Sequence, residues 1–473
     1  MRLSSVSCLL LLATLFWGGH LALAQTPLPA EPPPTDSAGA DASVAGTWDG
    51  TLQVGGTALR LVVHIQKTGS GFSSTLDSPD QGAYDIPVAH TRVTGDSLRL
   101  DVTAVNGRYD GARHAPNRID GTWTQGGVSA SLVLTPARDA SGPNRPQTPE
   151  PPFPYGTEDL AFRNEADGLT LAGTFSRPSS DGPHPTVVLV SGSGAQTRDS
   201  EVARHKLFLV VADYLTRQGI AVFRYDERGV GASEGTFATA TTADLARDAQ
   251  AAVEAIAARD DVRTVGLYGH SEGGWVAPMV DARSDAVDFL VLMAPPSVPG
   301  DALITEQRAR IVASQGAPPA YVDSVRAQQA RVTRAAARAP DSTAAARQIR
   351  RTLTAIGGAE AQITAQIRAM TTPWFRYFIS NDPADALREV DVPVLALFAE
   401  NDLQVIPEQN RPPLEAALNA SDSPDVTVDT VPGMNHLFQP SDTGRISEYG
   451  QIETTMAPAV LERIAAWVQA HAP

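Results

Sequence analysis

Ten residues, Val265–Gly274 (VGLYGHSEGG), constrain the fold more than any other stretch of this chain. Val265, Leu267 and Tyr268 read as a short buried strand. Gly269-His270-Ser271-Glu272-Gly273 then fits G-x-S-x-G, and Trp275-Val276-Ala277 resumes an apolar helical run. A strand that turns sharply into a helix holds the central serine in a strained backbone conformation. Glycine must flank it, because a Cβ there would strike the neighbouring strand or helix. The same turn aims the Ser271 hydroxyl and the next backbone N–H at a helix N-terminus, where developing negative charge is stabilised. The pattern taken alone also fits an ordinary glycine-rich turn; the strand before it and the helix after it select the nucleophile elbow.

A serine hydroxyl is a weak nucleophile near neutral pH and needs an adjacent base, itself oriented by a buried acid. Two histidines follow the elbow: His436, in the turn Gly433-Met434-Asn435-His436, and His471, two residues from the end. His436 is the candidate base. The acid is expected where the strand Leu395–Phe398 runs into Ala399-Glu400-Asn401-Asp402, with Asp402 first and Glu400 second. An oxyanion hole needs two backbone N–H groups, one after the nucleophile and one from the loop after an earlier strand. These are expected from Glu272 and from Ser193, in Ser191-Gly192-Ser193-Gly194, with Gly194 next in line. The other reading of that loop is a plain flexible turn. The Glu272 side chain reads as an acid in a helix's first turn, favoured by the macrodipole, in preference to one that steers a cationic substrate.

At 473 residues the chain predicts two or three units, each with ample core. A net charge of −16 and a pI near 5.0 argue against an electrostatic nucleic-acid binder. Arg2, the apolar run Leu9–Phe16 and Ala22-Leu23-Ala24 have the order of a signal peptide over 1–24, cut before Gln25. The expectation is an exported protein, periplasmic or secreted. The apolar run is too short to span a bilayer comfortably, so no transmembrane helix is expected after cleavage. The single cysteine, Cys8, lies inside this leader, which removes disulfides, a thiol nucleophile and cysteine-ligated metal from the expected mature chain.

Residues 25–42, rich in Pro, Ala and Asp, read as a disordered linker. Over 43–138 the texture changes to short alternating strands, among them Leu59–Ile65, Ser97–Val102 and Val128–Leu134, and predicts a small all-β barrel or sandwich. Trp48 and Trp123, in recurring G-x-W turns loosely similar to those of lipocalin-like β-domains, are expected to plug a barrel end; the alternative is a ligand cup. His64, His90 and His114 share no metal-ligand spacing, so neither metal nor cofactor is expected. Residues 139–157 form a second, Pro-rich linker.

From 158 to 473 strand and helix alternate. Leu160–Arg163 and Leu169–Ser176 suggest a leading hairpin. Short apolar runs follow at Thr186–Val190, Ile220–Tyr225, Val265–Tyr268, Phe289–Met293, Val394–Phe398 and Val426–Val431. Helical patterns lie between them at Lys206–Gln218, Thr242–Arg259, Gly273–Arg283 and Pro407–Asn419. This predicts an α/β class domain, a doubly wound and mostly parallel sheet. One segment, about 297–388, breaks the alternation and reads as a helical cap insertion. Its Trp374-Phe375-Arg376-Tyr377-Phe378 cluster either faces the site or packs the cap onto the core.

Three motifs together, Ser191-Gly192-Ser193-Gly194-Ala195-Gln196-Thr197-Arg198-Asp199, Tyr225-Asp226-Glu227-Arg228-Gly229-Val230-Gly231-Ala232-Ser233 and Gly269-His270-Ser271-Glu272-Gly273-Gly274, resemble the bacterial EstD-type carboxylesterases. These are α/β-hydrolases of the serine aminopeptidase S33-like group. The resemblance covers 158–473 and implies Ser271 as nucleophile, Asp402 as acid and His436 as base. It also implies that Asp226 and Arg228 brace the loop beside the site as a structural salt bridge, and that an extra N-terminal β-domain is no surprise. The expected protein is an exported serine hydrolase that cleaves small, short-acyl carboxylic esters through an acyl-enzyme, with no cofactor. Two alternatives stay open. One is an aminopeptidase or amidase on the same triad, which needs an acidic pocket for a substrate ammonium. The other is a non-catalytic protein whose β-domain grips cell-wall glycan; that domain's remaining use is self-docking.

Overall fold

Alternation of apolar and polar side chains runs through nine N-terminal strands: β1 (Gly46–Val54), β2 (Thr57–Thr68), β3 (Gly71–Ser78), β4 (Ala83–Pro87), β5 (His90–Thr94), β6 (Ser97–Val102), β7 (Gly107–Ala115), β8 (Arg118–Gln125) and β9 (Val128–Pro136). In the computed structural model, which describes residues 44–472 apart from 55–56, 70, 82, 127, 138–143 and 359, they pair antiparallel in the order β2-β1-β9-β8-β7-β6-β5-β3. A further β2–β3 pairing, Val62↔Asp77 to Thr68↔Gly71, closes the ring, and β4 pairs beside β5 along β3. The all-β region is therefore a barrel, not a sandwich. The expected signal peptide (1–24), the linker 25–42 and part of the Pro-rich linker lie outside the described residues.

The inward residues of a barrel this small fill it. Leu61, Val63, Ile65, Leu98, Leu100, Val102, Ile119, Leu132 and Leu134 form its core with Trp48, Tyr109 and Trp123. Trp48 and Trp123 are thus core side chains. Trp48 Nε1 donates to the Val44 carbonyl at 2.9 Å, and Trp123 Nε1 donates to Gln125 Oε1 at 3.1 Å. The Tyr109 ring lies over the cross-strand pair Gly111↔Gly121, where added Cβ atoms would come within 2.6 and 2.5 Å of it. His64 bonds Asp77 and Thr47, while His90 and His114 are exposed.

The chain divides into two compact units. The barrel unit comprises 44–144 with Ile446–Glu453, and the second unit comprises 145–445 with 454–472. In the second unit, residues 145–155 of the Pro-rich stretch are anchored rather than free: Gln147 Oε1 accepts from the Thr455 backbone N–H at 2.6 Å, and the Tyr155 hydroxyl donates to Asp213 at 2.9 Å.

The second unit is built on β10 (Gly156–Asn164), β11 (Leu169–Arg177), β12 (His184–Val190), the short hairpin β13 (Glu201–Val202) and β14 (His205–Lys206), β15 (Ala221–Tyr225), β16 (Val262–His270), β17 (Phe289–Met293), β18 (Val394–Ala399) and β19 (Val426–Val431). Eight of them form one sheet, ordered β10-β11-β15-β12-β16-β17-β18-β19, in which β11 alone runs antiparallel to its neighbours. β12, β17 and β18 are buried along their whole length, which explains the unbroken apolar sequences of β17 and β18 and the run Val187–Val190 in β12. Helices α1 (Leu207–Arg217), α2 (Thr242–Ala257) and α3 (Gly273–Asp281) follow strands of this sheet. A capping box starts α2: Thr241 Oγ1 accepts from the Asp244 N–H, and Asp244 Oδ2 accepts from the Thr241 N–H.

The insertion between β17 and β18 is helical: α4 (Gly300–Ser314), α5 (Pro319–Ala337), α6 (Ser342–Ala355), α7 (Glu360–Met370), α8 (Pro373–Ser380) and α9 (Pro383–Leu387). Phe375 and Phe378 of α8 are buried, and Phe378 meets Trp275 of α3 edge-on at 5.4 Å. The aromatic cluster packs the insertion onto the elbow helix. After β18 come α10 (Pro407–Leu418), β19, α11 (Ile446–Tyr449) and α12 (Pro458–His471). Among the described residues no helix is long and apolar enough to cross a membrane.

Candidate active site

Ser271 sits between β16 and α3 with φ of 55°, a left-handed conformation that side chains larger than hydrogen adopt at a cost. Two glycines make the turn possible. A Cβ on Gly269 would lie 2.1 Å from the Gly273 carbonyl oxygen, and one on Gly273 would lie 2.2 Å from that of Val190. The Ser271 N–H is held by the Met293 carbonyl of the next strand at 2.8 Å. With α3 beginning at Gly273, the Glu272 N–H lies ahead of the first intrahelical bond and points out of the helix N-terminus.

The loop after β12 passes the nucleophile closely, for a Cβ on Gly192 would sit 3.1 Å from Ser271 Cβ. Glycine permits that approach and brings the neighbouring Ser193 to the site. Glu227 braces the far end of this loop: its buried carboxyl accepts from the Gln196 N–H at 2.8 Å, and the Gln196 carbonyl accepts from the Glu227 N–H at 3.2 Å. Burial, with the nearby charges of Glu272 and Asp248, raises the Glu227 pKa well above that of an ordinary carboxyl.

His436 follows β19 in a loop pinned by Asn435, whose side chain accepts from the Leu437 and Gln439 N–H groups and donates to the Gln439 side chain. The His436 Nδ1 stands 2.7 Å from Asp402 Oδ2, with both side chains buried. Asp402 Oδ1 accepts from the N–H groups of Gln404 (2.7 Å) and Val405 (2.9 Å), so the carboxylate is fixed on both oxygens. A carboxylate only accepts, so Nδ1 carries the proton and Nε2 presents its lone pair. Glu400, the second choice for the acid, is exposed and accepts from the Gly433 N–H at 2.7 Å. The His270 ring lies 4.9 Å from that of His436, and its Nε2 donates to the His436 carbonyl at 2.9 Å. Ser193, Ser271 with Glu272, Asp402 and His436 thus follow the carboxyl ends of β12, β16, β18 and β19 in turn, and His270 links the His436 loop to the elbow. His471 is elsewhere, on α12, bonded to Asp425.

Three residues depart from expectation. Asp226 and Arg228 do not brace each other. Asp226 takes the Arg198 guanidinium (2.7 and 3.2 Å), while Arg228 grips Asp248 (2.6 and 2.8 Å) and Asp167 (2.7 Å). The two side chains leave the loop in different directions, Asp226 toward Arg198 of the loop after β12 and Arg228 toward Asp248 of α2. The Glu272 side chain is not merely a first-turn acid either. It is 1% exposed and accepts from Trp374 Nε1 (2.8 and 3.0 Å) and from Thr242 Oγ1 (2.8 Å). Burial raises its pKa, and the neighbouring Ser193, Trp374 and Thr242 side chains pull it back. Nothing in the sequence spacing links Glu272 to Trp374, 102 positions away.

Residues 183–440, more than half of the chain, match the model of the family described as serine aminopeptidase, S33. A 137-residue stretch is 34% identical to Esterase EstD of Thermotoga maritima; it makes up 29% of this chain and spans a third (33%) of that relative's length. Among solved structures, the chain is similar to the Pyrococcus furiosus esterase Pf2001 (14% identity, 71% of this chain and 98% of that one, TM-score 0.42). It is also similar to Est1E from Butyrivibrio proteoclasticus with ferulic acid bound (18% identity, 66% and 96%, TM-score 0.39). The chain belongs to the serine aminopeptidase S33 family and has the α/β-hydrolase fold, preceded in sequence by a β-barrel.

Proposed function

We propose that this protein is an exported carboxylesterase that cleaves short-acyl esters of small molecules through an acyl-enzyme. The observation that carries the reading is the buried 2.7 Å His436–Asp402 pair, set beside a serine at a strained elbow. In this reading Ser271 Oγ attacks the ester carbonyl while His436 Nε2 takes its proton. Asp402 keeps the imidazole in the required tautomer and stabilises the imidazolium that forms. The N–H groups of Glu272 and Ser193 receive the oxyanion. His436 returns the proton to the leaving alcohol, then activates the water that releases the acid.

Ester is favoured over peptide because an aminopeptidase needs a carboxylate that faces the substrate ammonium. Glu272, the acid next to the nucleophile, is sealed from solvent and already accepts from the Trp374 and Thr242 side chains. Export rests on the leader pattern of 1–24, and a mature N-terminus other than Gln25 by mass spectrometry would remove it. A glycan or self-docking contact of the barrel would use the barrel's outer face, since Trp48, Tyr109 and Trp123 occupy the core.

The test compares p-nitrophenyl acetate through decanoate with aminoacyl-p-nitroanilides, on wild type and Ser271→Ala. The expected result is ester turnover that falls with chain length, anilides untouched, and a loss on the order of 10³-fold or more in Ser271→Ala. Anilide cleavage at comparable efficiency would replace the esterase with an aminopeptidase, and near-wild-type turnover by Ser271→Ala would end the serine mechanism.

A further inference from the structure

We propose that His205 is a positioning residue for the candidate base: through the Gln439 amide it locks the loop that carries His436. The inference rests on the serine-hydrolase reading above and assigns a role to a histidine that reading leaves unused.

Four fully buried side chains form the lock: Asn435, Gln439, His205 and Thr455. Within the loop, Asn435 Oδ1 accepts from the Leu437 and Gln439 N–H groups, so its Nδ2 faces Gln439 Oε1 and donates to it at 2.9 Å. That bond orients the Gln439 amide. Its Nε2 gives one hydrogen to the Thr454 carbonyl at 3.0 Å and the other to His205 Nε2 at 2.9 Å. A ring nitrogen that accepts carries no proton, so the proton of His205 is on Nδ1, which donates to Thr455 Oγ1 at 2.9 Å. Gln147 fixes the far side, since its Oε1 accepts from the Thr455 and Met456 N–H groups at 2.6 and 3.1 Å. The direction of each bond is thereby set from Asn435 to Thr455, and a satisfied buried network of this kind specifies one position for the loop it holds.

His205 reaches this place at a cost to the backbone. It opens β14 of the β13–β14 hairpin, whose turn residues Ala203 and Arg204 hold φ of 50° and 64°, with Ser200 at 46° just before β13. Left-handed backbone at three residues that carry side chains persists where the surroundings hold it, and such strain clusters at functional sites. Here the hairpin delivers an imidazole to the Gln439 amide, 234 positions away.

The transition state needs the base and the bound ester does not, so a misplaced His436 lowers kcat and leaves KM nearly unchanged. The experiment measures kcat and KM of the full chain on p-nitrophenyl acetate, per mole of protein folded by near-ultraviolet circular dichroism. The variants are His205→Leu, His205→Gln, Gln439→Leu, the His205→Leu/Gln439→Leu pair and Thr455→Val, with Ser271→Ala alongside. His205→Leu and Gln439→Leu are each expected to lower kcat by about 10- to 100-fold, with KM changed less than about twofold. The pair is expected to lose no more than the worse single variant, because both break the same link. His205→Gln is expected to recover most of the rate: its amide oxygen accepts from Gln439, and its NH₂ donates to Thr455. Thr455→Val leaves the Nδ1 proton without that acceptor, and moving the proton to Nε2 would set it against the Gln439 N–H. Its kcat is expected to fall about 3- to 10-fold. Where His205→Leu or Gln439→Leu does not fold, Thr455→Val carries the test. Wild-type kcat in His205→Leu or Thr455→Val, equal losses in His205→Gln and His205→Leu, or multiplicative losses in the pair would overturn the lock, while an inactive Ser271→Ala kept the hydrolase reading standing. An active Ser271→Ala would instead remove the reading itself.

Discussion

The His270 imidazole donates from Nε2 to the carbonyl of His436 across 2.9 Å, so the residue before the elbow serine holds the backbone of the candidate base. Burial, and then the neighbouring His436, push its pKa down to about 3, which keeps it a neutral donor at every working pH. The unfolded chain binds a proton there near pH 6.5. Between about pH 3 and pH 6.5 the unfolded state thus carries the extra proton. This stability contribution is complete above pH 6.5 and is lost as pH falls through that window. His270→Phe should flatten the slope and, by leaving a buried carbonyl unpaired, cost about 1–3 kcal/mol at pH 7.5. Denaturant midpoints at pH 4.5 and 7.5 check it; an unchanged difference between the two would sink the assignment.

Asp402→Asn should distinguish the candidate acid from Glu400. Asp402 accepts three N–H hydrogens on its two oxygens, and an amide NH₂ must face at least one of those donors. Turned toward His436, it forces the wrong imidazole tautomer, and kcat should fall on the order of 10⁴-fold with little change in KM. Glu400→Gln keeps an acceptor for the Gly433 N–H on an exposed surface and should stay within about twofold of wild type. Comparable losses in the two variants would mean that Asp402 is not the orienting acid.

Asp281 ends the elbow helix α3, buried, with the Asp391 N–H 3.3 Å from its Oδ2. Burial chiefly, aided by the Asp391 charge, lifts its pKa from 3.8 to about 7. The sign is opposite to that of His270. The folded state holds the proton between pH 3.8 and about 7 while the unfolded state has lost it, so stability declines as pH rises through that range. Asp281→Asn retains an acceptor without the charge and should raise stability at pH 8 by on the order of 1–2 kcal/mol, with no gain at pH 4. Thermal scans at the two pH values give the answer, and an equal shift at both would refute it.

The sheet was legible because its central strands are buried on both faces and read as apolar runs, as in Phe289–Met293 and Val394–Ala399. The strained turn at Ser271 was legible because its flanking glycines, Gly269 and Gly273, leave no room for a Cβ. The residues that were misread or passed over depend on contacts between distant segments. Asp226 and Arg228 lie two apart, yet pair with Arg198 and Asp248. Glu272 reads as an ordinary first-turn acid until Trp374 is seen to reach it. Barrel closure rests on the β2–β3 pairing, which an alternating pattern shared with sandwiches does not reveal. The last helix is a different case: Val460, Leu461, Ile464, Ala465 and Val468 form a regular buried stripe that was available to sequence analysis and unused.

The final prediction concerns the barrel. Tyr109 fills the space above the Gly111↔Gly121 pair, and its hydroxyl lies 3.3 Å from the Ile119 carbonyl and 3.2 Å from that of Leu132. Gly121→Ala would drive a methyl group to within 2.5 Å of the ring, where backbone on either side leaves little room to yield. The expected cost is about 1–3 kcal/mol from overpacking. Tyr109→Ala removes the ring and should cost about 3–5 kcal/mol through the cavity it leaves. In the double variant the new methyl has no ring to strike and occupies part of that cavity, so its cost should fall short of the sum of the two. Hydrogen exchange of the β7 and β8 amides in the full chain measures each variant. Strict additivity would show that the ring and the paired glycines are not packed against each other.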